Sequence, residues 1–222
     1  MLLVAALLSM GQTGSDPMSL EQKVGARSYL FCFSFSNPYP DTNVQFSEGV
    51  VSQRTIIHGS TGRLNTGARV LAAGERDGYA AIIDPRTGKE GCIAASAVTL
   101  RKPALVSDPS LWIGTWEKAG PRRANRDSIA IRPGRGRTLR IAGEATWSAS
   151  VHGPDSAVNS GAIDARGTIR GGIIEFSAGD PIFCRYSLQL IGSALVVRDR
   201  DSESCNGNNV TFSGVYRRVS RR

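Results

Sequence analysis

Apolar residues in this chain come in short segments, interrupted at close intervals by glycine, proline and small polar residues, and this constrains the fold more than any other feature. Such segments do not sustain the three-to-four-residue stripe of an amphipathic helix, whereas they suit strands joined by tight turns. Glycine supplies 25 of 222 residues, enough for a turn after nearly every segment. In Tyr29-Leu30-Phe31-Cys32-Phe33-Ser34-Phe35-Ser36 the alternation is strict. Side chains in a strand have period two, so Tyr29, Phe31, Phe33 and Phe35 share one apolar face. The expected class is all-β.

Length leaves one large or two small domains open, and the organisation of the chain favours two. A hydrophobic fraction of 41% with mixed charges is a globular composition that can build a core. The apolar run from Leu2 to Met10 is too short for a bilayer and suits the core of a secretory signal, with Ser9 and Gly11 as the small residues before cleavage. Residues 1–26 are therefore assigned to a signal peptide and a loose N-terminus. No transmembrane segment is expected, and a periplasmic or secreted location follows.

Four cysteines, Cys32, Cys92, Cys184 and Cys205, lack C-x-x-C spacing and in an exported chain point to disulfides rather than metal. Two fall in each half, so Cys32 is paired with Cys92 and Cys184 with Cys205. The net charge of +8 favours anionic partners such as an acidic polymer. The Arg-rich run from Pro121 to Arg140 alternates with strand-like residues and crosses a Pro-Gly turn, so it reads as a solvated barrel face rather than the site of a specific partner. No nucleic acid is expected.

In the first half, strands are predicted near 44–51, 54–58, 69–75, 79–84 and 91–94. Arg69 to Glu75 leads into Asp77-Gly78-Tyr79, then Ala81 to Ile83, a polar turn from Pro85 to Lys89, Glu90-Gly91-Cys92-Ile93, and Ala97-Val98. This resembles the bacterial SH3-like family, in which an Asp/Asn-Gly-aromatic turn and a later Gly-Trp-Val bracket strands of a five-stranded barrel. Here Tyr79 and Cys92 stand where the family has tryptophan. The resemblance implies a small barrel over residues 27–100 that docks a protein, peptide or cell-wall component without catalysis, with Tyr79, Asp77 and Glu90 as candidate contacts.

Residues 101–110 hold Pro103 and Pro109 in a polar run and read as a linker. Beyond it, strands are predicted at 111–118, 127–132, 137–142, 145–152, 158–164, 168–176, 182–190, 194–199 and 209–218. Turns are placed at Pro133-Gly134, Gly143, His152-Gly153-Pro154, Ala165-Arg166-Gly167, Ala178-Gly179-Asp180 and Ile191-Gly192. Eight or nine consecutive strands suit an antiparallel up-and-down barrel over 111–222, which removes exposed edges. Gly114-Thr115-Trp116 resembles the Gly-x-Trp of lipocalin-type barrels, which implies that Arg217 or Arg218 packs across the indole of Trp116. The ending from Cys205 to Arg218 also resembles that of small exported bacterial proteins with no assigned activity.

No catalytic constellation stands out. His58 and His152 fall in different halves, neither beside a nucleophile. Glu75, Asp77, Asp84 and Glu90 cluster around one hairpin, and two such acids suitably spaced cleave glycosides, but each sits in turn context. The acidic run Asp199 to Glu203 lacks the glycine and the distal glutamate of a calcium loop, so neither metal nor cofactor is expected. The reading is a non-enzymatic envelope binding protein. Its rivals are a carrier with an apolar cavity around Trp147 and Phe183, an inhibitor of a secreted hydrolase such as lysozyme and, last, an enzyme.

Overall fold

The computed structural model describes residues 46–58, 62–76, 78–120, 127–148, 158–179, 184–199 and 210–219. Among them the chain is almost entirely β, with two short 3-10 turns. The expected leader, the strand expected over Tyr29 to Ser36, Cys32, Asp77, His152, Phe183, Glu203 and Cys205 lie outside these residues.

The first sheet contains β1 (Ser47–Val51), β4 (Arg69–Arg76), β5 (Tyr79–Ile83), β6 (Glu90–Ala94) and β7 (Val98–Arg101), in the order β6-β5-β4-β1-β7. Between β1 and β4 a separate two-stranded hairpin is formed by β2 (Thr55–Ile56) and β3 (Arg63–Leu64). His58, just after β2, bridges to Cys92 on the free side of β6, with amide-to-carbonyl distances of 2.8 and 3.0 Å in the two directions. A 3-10 turn, Ala95–Ala97, links β6 to β7. Alternation then sorts the faces: Val51, Val70, Ala72, Ala80, Ile82 and Ile93 enter one buried cluster beneath the sheet.

The second sheet takes up the rest. Its strands are β8 (Gly114–Lys118), β9 (Ser128–Pro133), β10 (Leu139–Ser148), β11 (Val158–Gly167), β12 (Ile169–Arg170), β13 (Ile173–Ala178), β14 (Cys184–Ile191), β15 (Ala194–Asp199) and β16 (Gly214–Arg218). The order β11-β10-β9-β8-β16-β15-β14-β13-β12 is an antiparallel meander, and its last strand pairs with its first. Only Thr168 separates β11 at one end of that order from β12 at the other. One stretch of backbone therefore pairs with β10 through its first part and with β13 through its last, leaving the barrel nearly closed.

Two glycines expected to mark turns lie within strands. Gly143 sits inside β10, which runs unbroken where two strands were predicted, and a Cβ there would stand 3.1 Å from Phe212 and 3.3 Å from Ile129. Gly167 ends β11, and its Cβ would meet Ile174 Cγ2 at 2.2 Å. Both positions need the absence of a side chain for close packing across the barrel, not for a bend. The turn falls instead at Gly171-Gly172, both with positive φ, and divides the predicted 168–176 strand into β12 and β13.

The barrel interior is one contiguous apolar cluster, with Trp112, Trp116, Ile129, Ile131, Leu188, Leu195, Phe212 and Tyr216 essentially inaccessible. Tyr216 donates its hydroxyl to the Phe212 carbonyl at 2.9 Å, so its polar end is satisfied inside the core. Burial, reinforced by Asp127 and Asp199, holds that phenol well above its ordinary pKa.

A further cluster joins the two sheets. Phe46, Leu71 and Ile83 of the first pack against Ile191, Ala194, Val196 and Val215 on the outer face of the barrel. Gln189 bridges the same seam: its side-chain carbonyl accepts from the Phe46 amide at 3.0 Å and its amide donates to the Phe46 carbonyl at 3.3 Å. The turn before β6 also docks here. Gly88, at φ +68, approaches so closely that a Cβ would lie 2.2 Å from the Ala119 carbonyl oxygen. Each sheet keeps its own buried cluster, and the two meet at this apolar seam. The expected linker is fixed as well: the Val106 carbonyl accepts from Trp112 Nε1 at 3.1 Å, and Pro103 is buried.

Candidate binding surfaces

Among the described residues singled out around the first hairpin, Tyr79 and Glu90 stand at opposite ends of the β5–β6 ladder. Tyr79 begins β5 half-buried, edge-on to His58 with ring centres 5.7 Å apart. Asp84 is buried in the following turn, where its carboxylate accepts from the Arg86 amide at 2.9 Å and the Thr87 hydroxyl at 2.7 Å. Those bonds shape the turn. Directly opposed residues share a sheet face, so Glu75, opposite Ala80, and Glu90, opposite Ile83, point to opposite sides. They form no acid pair of the kind that cleaves glycosides.

Glu90 lies instead beside the seam between the sheets. Burial raises its carboxyl above the ordinary carboxylate range, and the Lys118 ammonium pulls it back only in part. Lys118 is itself a junction that sequence patterning did not single out. Its ammonium lies 3.3 Å from Asp127 Oδ2 and donates to the Thr211 carbonyl at 3.1 Å, while Asp127 Oδ1 accepts from the Thr146 amide at 3.0 Å.

The two ends of the barrel differ. Short turns join β9 to β10, β12 to β13 and β14 to β15 at one end, where the 3-10 turn Pro109–Leu111 enters β8. There Arg218 takes the place over Trp116, its guanidinium carbon 5.6 Å from the ring centre, while Arg217 turns outward and donates to the Arg86 carbonyl at 3.4 Å. The longer connections, 119–127, 149–157, 179–183 and 200–213, all leave from the other end. Trp147, half-buried near that end, packs against the interior cluster beside which the fully buried Asp199 and Tyr186 stand in register.

No cysteine among the described residues is a free thiol: Cys92 is fully buried in β6, and Cys184 begins β14 inside the barrel cluster. Among the described residues no group of three or more His, Cys, Asp or Glu side chains is placed to hold a metal ion. No helix among them is long and apolar enough to cross a membrane. The chain matches no protein-family model, no curated protein and no solved structure.

Proposed function

We propose that this chain is an exported, non-catalytic binding protein of a bacterial envelope, in which an SH3-like module is fixed to a lipocalin-like barrel that serves as scaffold. The observation that carries this reading is the barrel interior, where Trp112, Trp116, Phe212 and Tyr216 meet in one contiguous apolar cluster. A carrier needs that volume for its cargo. Recognition then falls to the outside of the molecule, to a cell-wall component or protein. The first sheet supports the SH3-like reading through its five strands, the Gly78-Tyr79 turn between β4 and β5, and Gly91-Cys92-Ile93 within β6. Export is supported by the apolar run Leu2 to Met10 and by the lack of a free thiol among the described residues, with Cys32–Cys92 and Cys184–Cys205 the proposed pairs.

The test is co-sedimentation of the purified full chain with isolated bacterial cell walls, alongside native mass spectrometry. The expected result is saturable pelleting with walls and a mass equal to the polypeptide alone. A co-purified lipid would return the carrier reading, and no pelleting above background would remove the envelope role.

A further inference from the structure

The meander holds β9, β10 and β11 in a register that sets Arg132 opposite Arg140 and Arg140 opposite Arg166. All three are exposed on the outward face, since Ile131, Leu139 and Ile141 alternate with them into the core. Neighbouring strands lie about 4.8 Å apart, so the row presents one guanidinium per strand spacing. Like charges directly opposite one another destabilise a sheet. The next outward row, Ala130, Ala142 and Asp164, carries no such opposition.

One carboxylate meets the row. Asp164 accepts from Arg140 Nε at 3.2 Å and Nη2 at 3.0 Å, the two-pronged geometry in which a guanidinium recognises a carboxylate. The turn between β9 and β10 adds exposed Arg135 and Arg137 and is held by the Gly134 amide on the Thr138 carbonyl at 2.9 Å and the Thr138 hydroxyl on the Arg135 carbonyl at 2.8 Å. The exposed arginines of the row and the turn thus number five, and of these Arg140 is the one hydrogen-bonded to Asp164.

We propose that this arginine row binds a linear anionic glycan bearing a carboxylate on successive sugars. The inference rests on the reading that recognition takes place on the outer surface. An extended chain lying across the strands meets Arg132 and Arg166 on either side of Arg140, whose two-pronged pairing with Asp164 displays the contact each would make with a carboxylate. Single-stranded nucleic acid is the weaker fit, because the two rows offer arginine, alanine and aspartate and no aromatic ring for a base to stack on.

The test is titration of the full chain with polygalacturonate, using its fully methyl-esterified form and single-stranded DNA as comparators. Arg132→Gln with Arg166→Gln leaves the Arg140–Asp164 pair intact and relieves like-charge opposition, so the fold is expected to be retained or stabilised. Polygalacturonate should bind the native chain in a salt-dependent manner and the esterified polymer should not. The double variant should lose about tenfold in affinity and lower the salt slope by about 1 to 1.5, whereas Arg54→Gln with Arg63→Gln, an equal charge change at the β2–β3 hairpin, should cost under about twofold. Equal losses in both variants, undiminished binding by the row variant, or tighter row-dependent binding of DNA would each overturn the proposal. Failure of the native chain to bind polygalacturonate while still pelleting with walls removes the glycan row alone; failure of both removes the binding role beneath it.

Discussion

Arg218 and Trp116 are register partners across the seam where the last strand of the barrel meets its first, and the guanidinium carbon stands 5.6 Å from the indole centre. The indole Nε1 donates to the Trp112 carbonyl at 3.0 Å, and the Arg218 guanidinium also donates to the Ile113 carbonyl. One side chain therefore ties β16 to β8 and to the entry segment. Replacing Arg218 with alanine should lower unfolding free energy by about 1 kcal/mol, because the stacked cation and its carbonyl contact are lost at an exposed site. Arg218→Lys should recover only part of this, since an ammonium lacks the planar fork. Urea denaturation of the two variants checks both statements.

Gln189 and Phe46 make the corresponding link between the sheets. Gln189→Ala should cost about 1–3 kcal/mol by removing the two hydrogen bonds its side chain makes to the Phe46 backbone. Ile83→Asp, which places a charge in the seam, should uncouple the sheets, so that calorimetry shows two transitions where the native chain shows one. A single transition of unchanged width in Ile83→Asp would mean that the seam contributes little to cooperativity.

Gly167→Ala tests the closure of the barrel. Its Cβ would lie 2.2 Å from Ile174 Cγ2, and β11 and β13 must separate to admit it. An overpacked core position of this kind costs about 1–3 kcal/mol. Gly136→Ala, in the open turn between β9 and β10, meets no atom within 4 Å but sits at φ +63, so its smaller cost is purely conformational. The difference between their melting temperatures reads out packing against backbone strain.

Glu90 supplies a pH dependence. Its folded-state carboxyl titrates above the ordinary range, so between the unfolded and folded pKa values the native state holds more protons than the unfolded state, and stability falls as pH rises through that window. Glu90→Gln removes this contribution. The variant should be no less stable than the native chain at pH 8, and its stability should vary less with pH from about 4 upward. A steeper fall in the variant would show that attraction to Lys118 outweighs burial.

Much of the architecture was legible in local pattern. Alternation in Ile129-Ala130-Ile131-Arg132 and hairpin chemistry at Pro133-Gly134 place β9, its faces and its turn. Gly143 and Gly167 misled because a glycine that opens a turn and one that admits a neighbour look identical in one dimension. The seam left a fainter mark: Ala194-Leu195-Val196-Val197 is apolar on both faces, as a strand covered on both sides must be. That Glu75 and Glu90 would point to opposite sides of the sheet was not legible, since it depends on the pairing register of β4, β5 and β6.

By itself the amino-acid order determined the period-two alternation, the position of most turns and therefore an all-β chain with a long antiparallel meander. Those are local quantities, set by side-chain direction and backbone preference over a few residues. Only the tertiary structure decided that Gln189 would bridge to Phe46, that Arg218 rather than Arg217 would cover Trp116, and that Arg132, Arg140 and Arg166 would stand abreast. Each of these depends on strand register and sheet packing, and a shift of one residue would turn every such side chain to the opposite face.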